Sequence, residues 1–100
     1  GFHMTIEESN IAKAIKLVGD KLLHVQVSEN HRGIPGTGLT PWTDFAEGLK
    51  AIDYKGAMVI ESFTPEIKEL AGAVCIWKNL AESQDEFASL GIDFLRKTFK

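Results

Sequence analysis

The 100-residue chain is 44% hydrophobic and 25% charged, ordinary proportions for a globular domain with one modest core. Its net charge of -3, with lysines and arginines scattered along predicted helix faces, excludes a nucleic-acid binder driven by counterion release. No apolar run approaches the roughly 20 residues of a membrane span and no signal-peptide pattern opens the chain, so no membrane partner is expected.

Gly1 to Met4 has two readings, a cloning remnant or native sequence. Glu7 to Val18 is predicted as a helix. Ile11, Ala14, Ile15 and Val18 form its apolar stripe, and Glu7 and Glu8 suit the positive end of the dipole. Leu22 to Val27 reads as a strand, followed by a loop from Glu29 to Gly38 with three glycines, a proline and four polar side chains, Glu29, Asn30, His31 and Arg32. A packed core has no use for that mixture; a backbone shaped around a ligand does. Thr40-Pro41 is a cap-plus-proline start for a helix to about Ile52. Ala57 to Ser62 is a second strand. Thr64-Pro65 opens a predicted helix to about Leu80, with Ile67, Leu70, Ala71, Val74, Trp77 and Leu80 as its apolar face. Ser83 to Glu86 is a capping box before a last helix that faces the core with Phe87, Leu90, Phe94 and Leu95.

Strands alternating with amphipathic helices predict an α/β chain with parallel strands and helices on one face. Two or three such strands cannot close a sheet alone. Side-chain alternation puts Leu23, Val25 and Val27 on the helix-packed side of the first strand, and His24 and Gln26 opposite. In the second strand Glu61 shares the side opposite Met58 and Ile60. Gln26 and Glu61 thus converge at the C-terminal strand ends, where barrel enzymes build their sites. They bind a cation or sugar hydroxyl there, or else satisfy buried backbone or face solvent at an unclosed edge. Cys75, the single cysteine, excludes an internal disulfide. Its apolar surroundings predict a buried structural thiol in a reducing, cytoplasmic setting.

Spaced motifs in order then resemble the ketose 3-epimerases, the D-tagatose/D-psicose 3-epimerase family of sugar isomerase barrels. They are Phe2-His3-Met4 with Ile6-Glu7-Glu8, His24 to Arg32, Pro35 to Gly38 with Pro41-Trp42, Val59 to Phe63, and Ala73 to Lys78 with Phe94 to Arg96. The resemblance favours native sequence at the start. It implies one C-terminal piece, residues 1–100, of a xylose isomerase-like TIM barrel: the end of strand six, then seven and eight. The Glu29 to Gly38 loop favours the 3-epimerases over relatives of the hydroxypyruvate isomerase kind.

In that family a divalent metal, manganese or cobalt, is held by two glutamates, an aspartate and a histidine, and the glutamates move a proton at C3 of the ketose through an enediolate. By resemblance Glu61 is ligand and catalytic base, and Arg32 and His3 contact the sugar. Gln26 falls on the metal-binding histidine, for which an amide is a weaker substitute. His24 reads as a core histidine and His31 as a loop-surface one. The family aspartate would directly precede Gly1 and the first glutamate would lie further upstream. Two expectations follow: a fragment of a metal-dependent sugar epimerase, inactive alone, with the metal assigned to the complete enzyme, or a non-catalytic module that binds a sugar or protein. In either case bare sheet edges and faces predict a homo-oligomer.

Overall fold

The computed structural model describes residues 1–100. Its elements are α1 (Phe2–Glu7), α2 (Ile11–Val18), β1 (Val25–Val27), α3 (Trp42–Ala51), β2 (Met58–Ile60), α4 (Lys68–Ala73) and α5 (Gln84–Thr98), with a 3₁₀ turn at Gly19–Lys21. The two strands pair in parallel, with Val25, Gln26 and Val27 beside Met58, Val59 and Ile60. This is the expected small α/β piece with α3 in the parallel connection.

Alternation decides what covers the sheet. Val25 and Val27 are buried and Gln26 between them is exposed. One core joins them to Ile11 and Ile15 of α2, Trp42, Phe45 and Leu49 of α3 and Leu95 of α5. The helices therefore cover one face, and Gln26 and Val59 stand on the open one. Leu23, expected on the core side, is 82% exposed because the strand begins two residues later; Leu22 packs against the core instead. His24 is likewise exposed rather than a core residue.

Helix boundaries moved where a side chain or backbone device offered better partners. The predicted first helix splits: Glu7 ends α1, and Asn10 caps α2 by accepting from the Lys13 N–H at 2.7 Å. Thr40 does not cap α3. Pro41 occupies the cap position. Ser83 caps α5 through the Glu86 N–H, but Glu86 reaches back to the Glu82 N–H, one residue before a standard capping box.

The predicted helix to Leu80 stops at Ala73. Ile76 N–H bonds the Ala71 carbonyl at 2.8 Å and Cys75 N–H the Gly72 carbonyl at 3.3 Å, the pair of reverse bonds that defines a Schellman ending. Cys75 sits at the left-handed position of that ending, φ 64°, where glycine is usual, and is exposed. The buried partners of the ending are Ala71 and Ile76, so the expected buried thiol is corrected. Trp77 is 85% exposed, and Ile67, Leu70 and, in α5, Leu90 are also exposed rather than core.

Candidate functional site

The site lies beyond the C-terminal ends of β1 and β2. The strand ladder continues past the strands, with Glu61 N–H donating to the Val27 carbonyl at 2.9 Å. This places Glu61 beside the register position of Ser28. Ser28 is buried, and its hydroxyl accepts from the Phe2 N–H at 3.1 Å, which ties the start of α1 to the strand end.

Arg32 is brought to the same place by the loop. Its N–H donates to the Glu29 carbonyl at 3.0 Å, and its backbone takes the left-handed region, φ 69°. A non-glycine residue there is uncommon and marks a constrained turn. The buried guanidinium pairs with Glu61, Nη1 donating to Oε1. Its Cζ lies 3.7 Å from the centroid of the Phe2 ring and 5.2 Å from that of Phe63. A cation desolvated between aromatic rings gains up to about 2 kcal/mol from their negative faces. Arg32 Nε is buried without a partner, a deficit of about 1–3 kcal/mol.

Glu29 was expected as one of four ligand-facing side chains. It is instead the anchor of its own loop. It is fully buried and accepts four bonds: Asn30 N–H (3.1 Å) and Thr40 N–H (2.7 Å) at Oε1, Gly36 N–H (2.8 Å) and Trp42 Nε1–H (3.0 Å) at Oε2. Burial pushes its carboxyl up, but the donors from Thr40, Trp42 and Asn30 outweigh that and hold it below its ordinary value. The signal in the sequence was a lone acid at a strand end, directly before a segment rich in backbone N–H groups and free of lysine.

The other expected residues are less gathered. His3 is exposed on α1, its ring edge-on to Phe2 with centroids 5.3 Å apart, so it reaches Arg32 only through the ring both touch. Gln26 shares the open face with Glu61 but lies one pleat repeat back, roughly 6–7 Å along the strand. His31 is half-buried rather than on the loop surface, and its Nδ1 is buried without a partner.

These donors do not fit a divalent cation by themselves. No group of three or more His, Cys, Asp or Glu side chains converges in the chain. Gln26 offers one neutral oxygen, and Glu61 is already engaged by Arg32, whereas a hard cation takes about six oxygen or nitrogen ligands. What the cluster can do is hold a carboxylate base beside a guanidinium with a spare donor, at the mouth of a parallel sheet.

Comparison with known proteins places the chain in a family. Residues 1–98 match the model of the xylose isomerase-like TIM barrel family. The L-ribulose 3-epimerase of Methylomonas sp. is 38% identical over 100 residues, covering 98% of this chain and 35% of that protein. The D-psicose 3-epimerase of Enterocloster bolteae is 35% identical, covering 98% of the chain and 34% of that protein. The crystal structure of a D-allulose 3-epimerase from Methylomonas sp. superposes with a TM-score of 0.88 at 38% identity, over 97% of this chain and 35% of that one. The chain thus spans about a third of the length of the relatives it matches.

Proposed function

The chain belongs to the xylose isomerase-like TIM barrel family, and on that premise we propose that residues 1–100 are a single C-terminal piece of a ketose 3-epimerase. The observation that carries this reading is the pairing of Arg32 with Glu61 between Phe2 and Phe63 at the C-terminal strand ends. It is supported by relatives that are ketose 3-epimerases. The setting is cytoplasmic, in keeping with a free thiol at Cys75.

The residues take complementary roles. The Glu61 carboxylate removes the proton at C3, next to the ketose carbonyl, and negative charge develops on the sugar oxygens as an enediolate. Arg32 meets that charge with guanidinium N–H groups not engaged by Glu61, which cost little to reorient because the rings already hold the guanidinium. His3 extends the sugar-binding wall from α1. Inversion at C3 is completed by a second acid–base group, protonated beforehand, that delivers a proton to the opposite face; the residues described here supply none. A divalent cation, manganese or cobalt, with Glu61 and Gln26 among its ligands, belongs to this reading only for the complete protein; the donors present here do not fit one. The chain alone is accordingly inactive.

Solvent deuterium incorporation at C3 of D-fructose, D-psicose or D-tagatose tests the reading. The complete protein should exchange C3 and interconvert 3-epimers, Glu61→Gln should abolish both, and residues 1–100 alone should do neither. Robust turnover by the chain alone, or an undiminished rate in the Glu61→Gln protein, would overturn it.

A second reading is a non-catalytic oligomeric module that binds a sugar or a protein. Gln26 in place of an imidazole favours it, as does a sheet of only two strands with one face open.

A further inference from the structure

The buried carboxylate of Glu29 belongs to no salt bridge, and four N–H donors take the place a cation would have. Those donors come from Asn30, Gly36, Thr40 and Trp42, so one side chain gathers both limbs of the loop and the start of α3. Arg32 lies inside the segment gathered, bonded through its N–H to the Glu29 carbonyl. The wrap is tight: a Cβ on Gly38 would stand 2.4 Å from Asn30 Oδ1 and 2.6 Å from Glu29 Cγ. Nothing else in the loop ties its two limbs to one point with comparable burial.

We propose that Glu29 is the positioning residue of Arg32: by gathering these four donors its carboxylate fixes the left-handed turn that aims the guanidinium between Phe2 and Phe63 at Glu61. Glu29 touches no reacting atom in this role; it acts through the loop. A glutamine has the same shape but turns an NH2 toward donors that need an acceptor. Glu29→Gln therefore loses bonds on one oxygen's side and sets donor against donor there. The consequence for catalysis rests on the epimerase reading; the placement of Arg32 does not.

The test reads the placement directly. The side-chain Nε–H of Arg32, buried beside the Phe2 ring, should give an NMR signal shifted upfield by the ring current and protected from solvent exchange. In the full chain carrying Glu29→Gln both features should be lost. A core variant such as Leu49→Ala, distant from the loop, should keep both while lowering stability. If Glu29→Gln does not fold, Trp42→Phe, which deletes a single donor, should move the signal part of the way. A folded Glu29→Gln chain, or failing that a Trp42→Phe chain, that keeps the upfield and protected signal would overturn the proposal. In the complete protein, Glu29→Gln should lower kcat/KM strongly in the wild-type background and little further when Arg32 is already alanine. Equal losses in both backgrounds would mean a general structural role and overturn it too. Absence of any epimerase activity in the wild type would sink the functional reading and leave the NMR outcome to decide the positioning role.

Discussion

The indole of Trp42 donates to the carboxylate of Glu29 at 3.0 Å across thirteen residues of chain, so the first turn of α3 and the end of β1 share one buried charge. This contact makes the loop sensitive to acid. The folded Glu29 carboxyl is held below the ordinary value of 4.5, so the folded state binds fewer protons than the unfolded one. Its contribution to stability is complete above about pH 4.5 and is lost as pH falls through the depressed folded value. Urea denaturation from pH 7 to pH 3 should show Glu29→Gln less stable than wild type at neutral pH, with the gap narrowing on acidification. A gap that stays constant would contradict the assignment.

Arg32 and Glu61 are worth little as a stabilising pair but much as a pair that must not be split. Glu61 stays partly exposed, so Arg32→Ala should destabilise by about 3 kcal/mol, the low end of the range for a buried charge left alone. Adding Glu61→Ala should recover part of that loss. Denaturant midpoints of the two single variants and the double variant measure the coupling; strict additivity would show that the two side chains do not communicate.

Gly48 of α3 packs directly against α2. A Cβ there would stand 2.9 Å from Ile15 Cβ and 3.1 Å from the Ala12 Cα, neither of which can swing away. Alanine would gain up to about 1 kcal/mol of helix propensity. The overpacking of a dense core, about 1–3 kcal/mol, should win. Thermal unfolding of Gly48→Ala should show a lower Tm.

Cys75 offers the opposite case. Its left-handed backbone strains a side-chain-bearing residue by roughly 1–2 kcal/mol, and glycine removes that strain at an unfolded-state entropy penalty of about 0.4–1 kcal/mol. Cys75→Gly should therefore raise stability by roughly 0.5–1 kcal/mol. A decrease in the denaturation midpoint would count against the Schellman ending seen at the end of α4.

The open face of this two-stranded sheet predicts self-association by the isolated chain. Light scattering of residues 1–100 across a concentration series should show a homo-oligomer. A monomer that persists at high concentration would exclude pairing through β1, β2 or the exposed Val59 face.

Much of this fold can be read from residue order alone. Period-2 alternation in Val25 to Val27 and the stripe positions Ile11 and Ile15 follow from geometry that each element carries locally, so these residues were placed in the core, while Leu23 and Val18 at the element ends were not. The parallel pairing followed from strands separated by a helix. The motifs from His24 to Gly38 and from Val59 to Phe63 also pointed to the family.

Tertiary structure decided what depends on who reaches whom. The predicted helix after Pro65 keeps its apolar period to Leu80, yet the reverse bonds of Cys75 and Ile76 end it at Ala73 and turn Trp77 to solvent. Glu29 looked like a ligand-binding acid until the loop folded over it, because four donors spread from Asn30 to Trp42 converge only in three dimensions. In the same way, nothing in the order of residues seats the Arg32 guanidinium on the Phe2 ring and against Glu61. Local periodicity is a property of neighbours in the chain. The satisfaction of a buried charge is a property of neighbours in space, and the loop is where the two differ most.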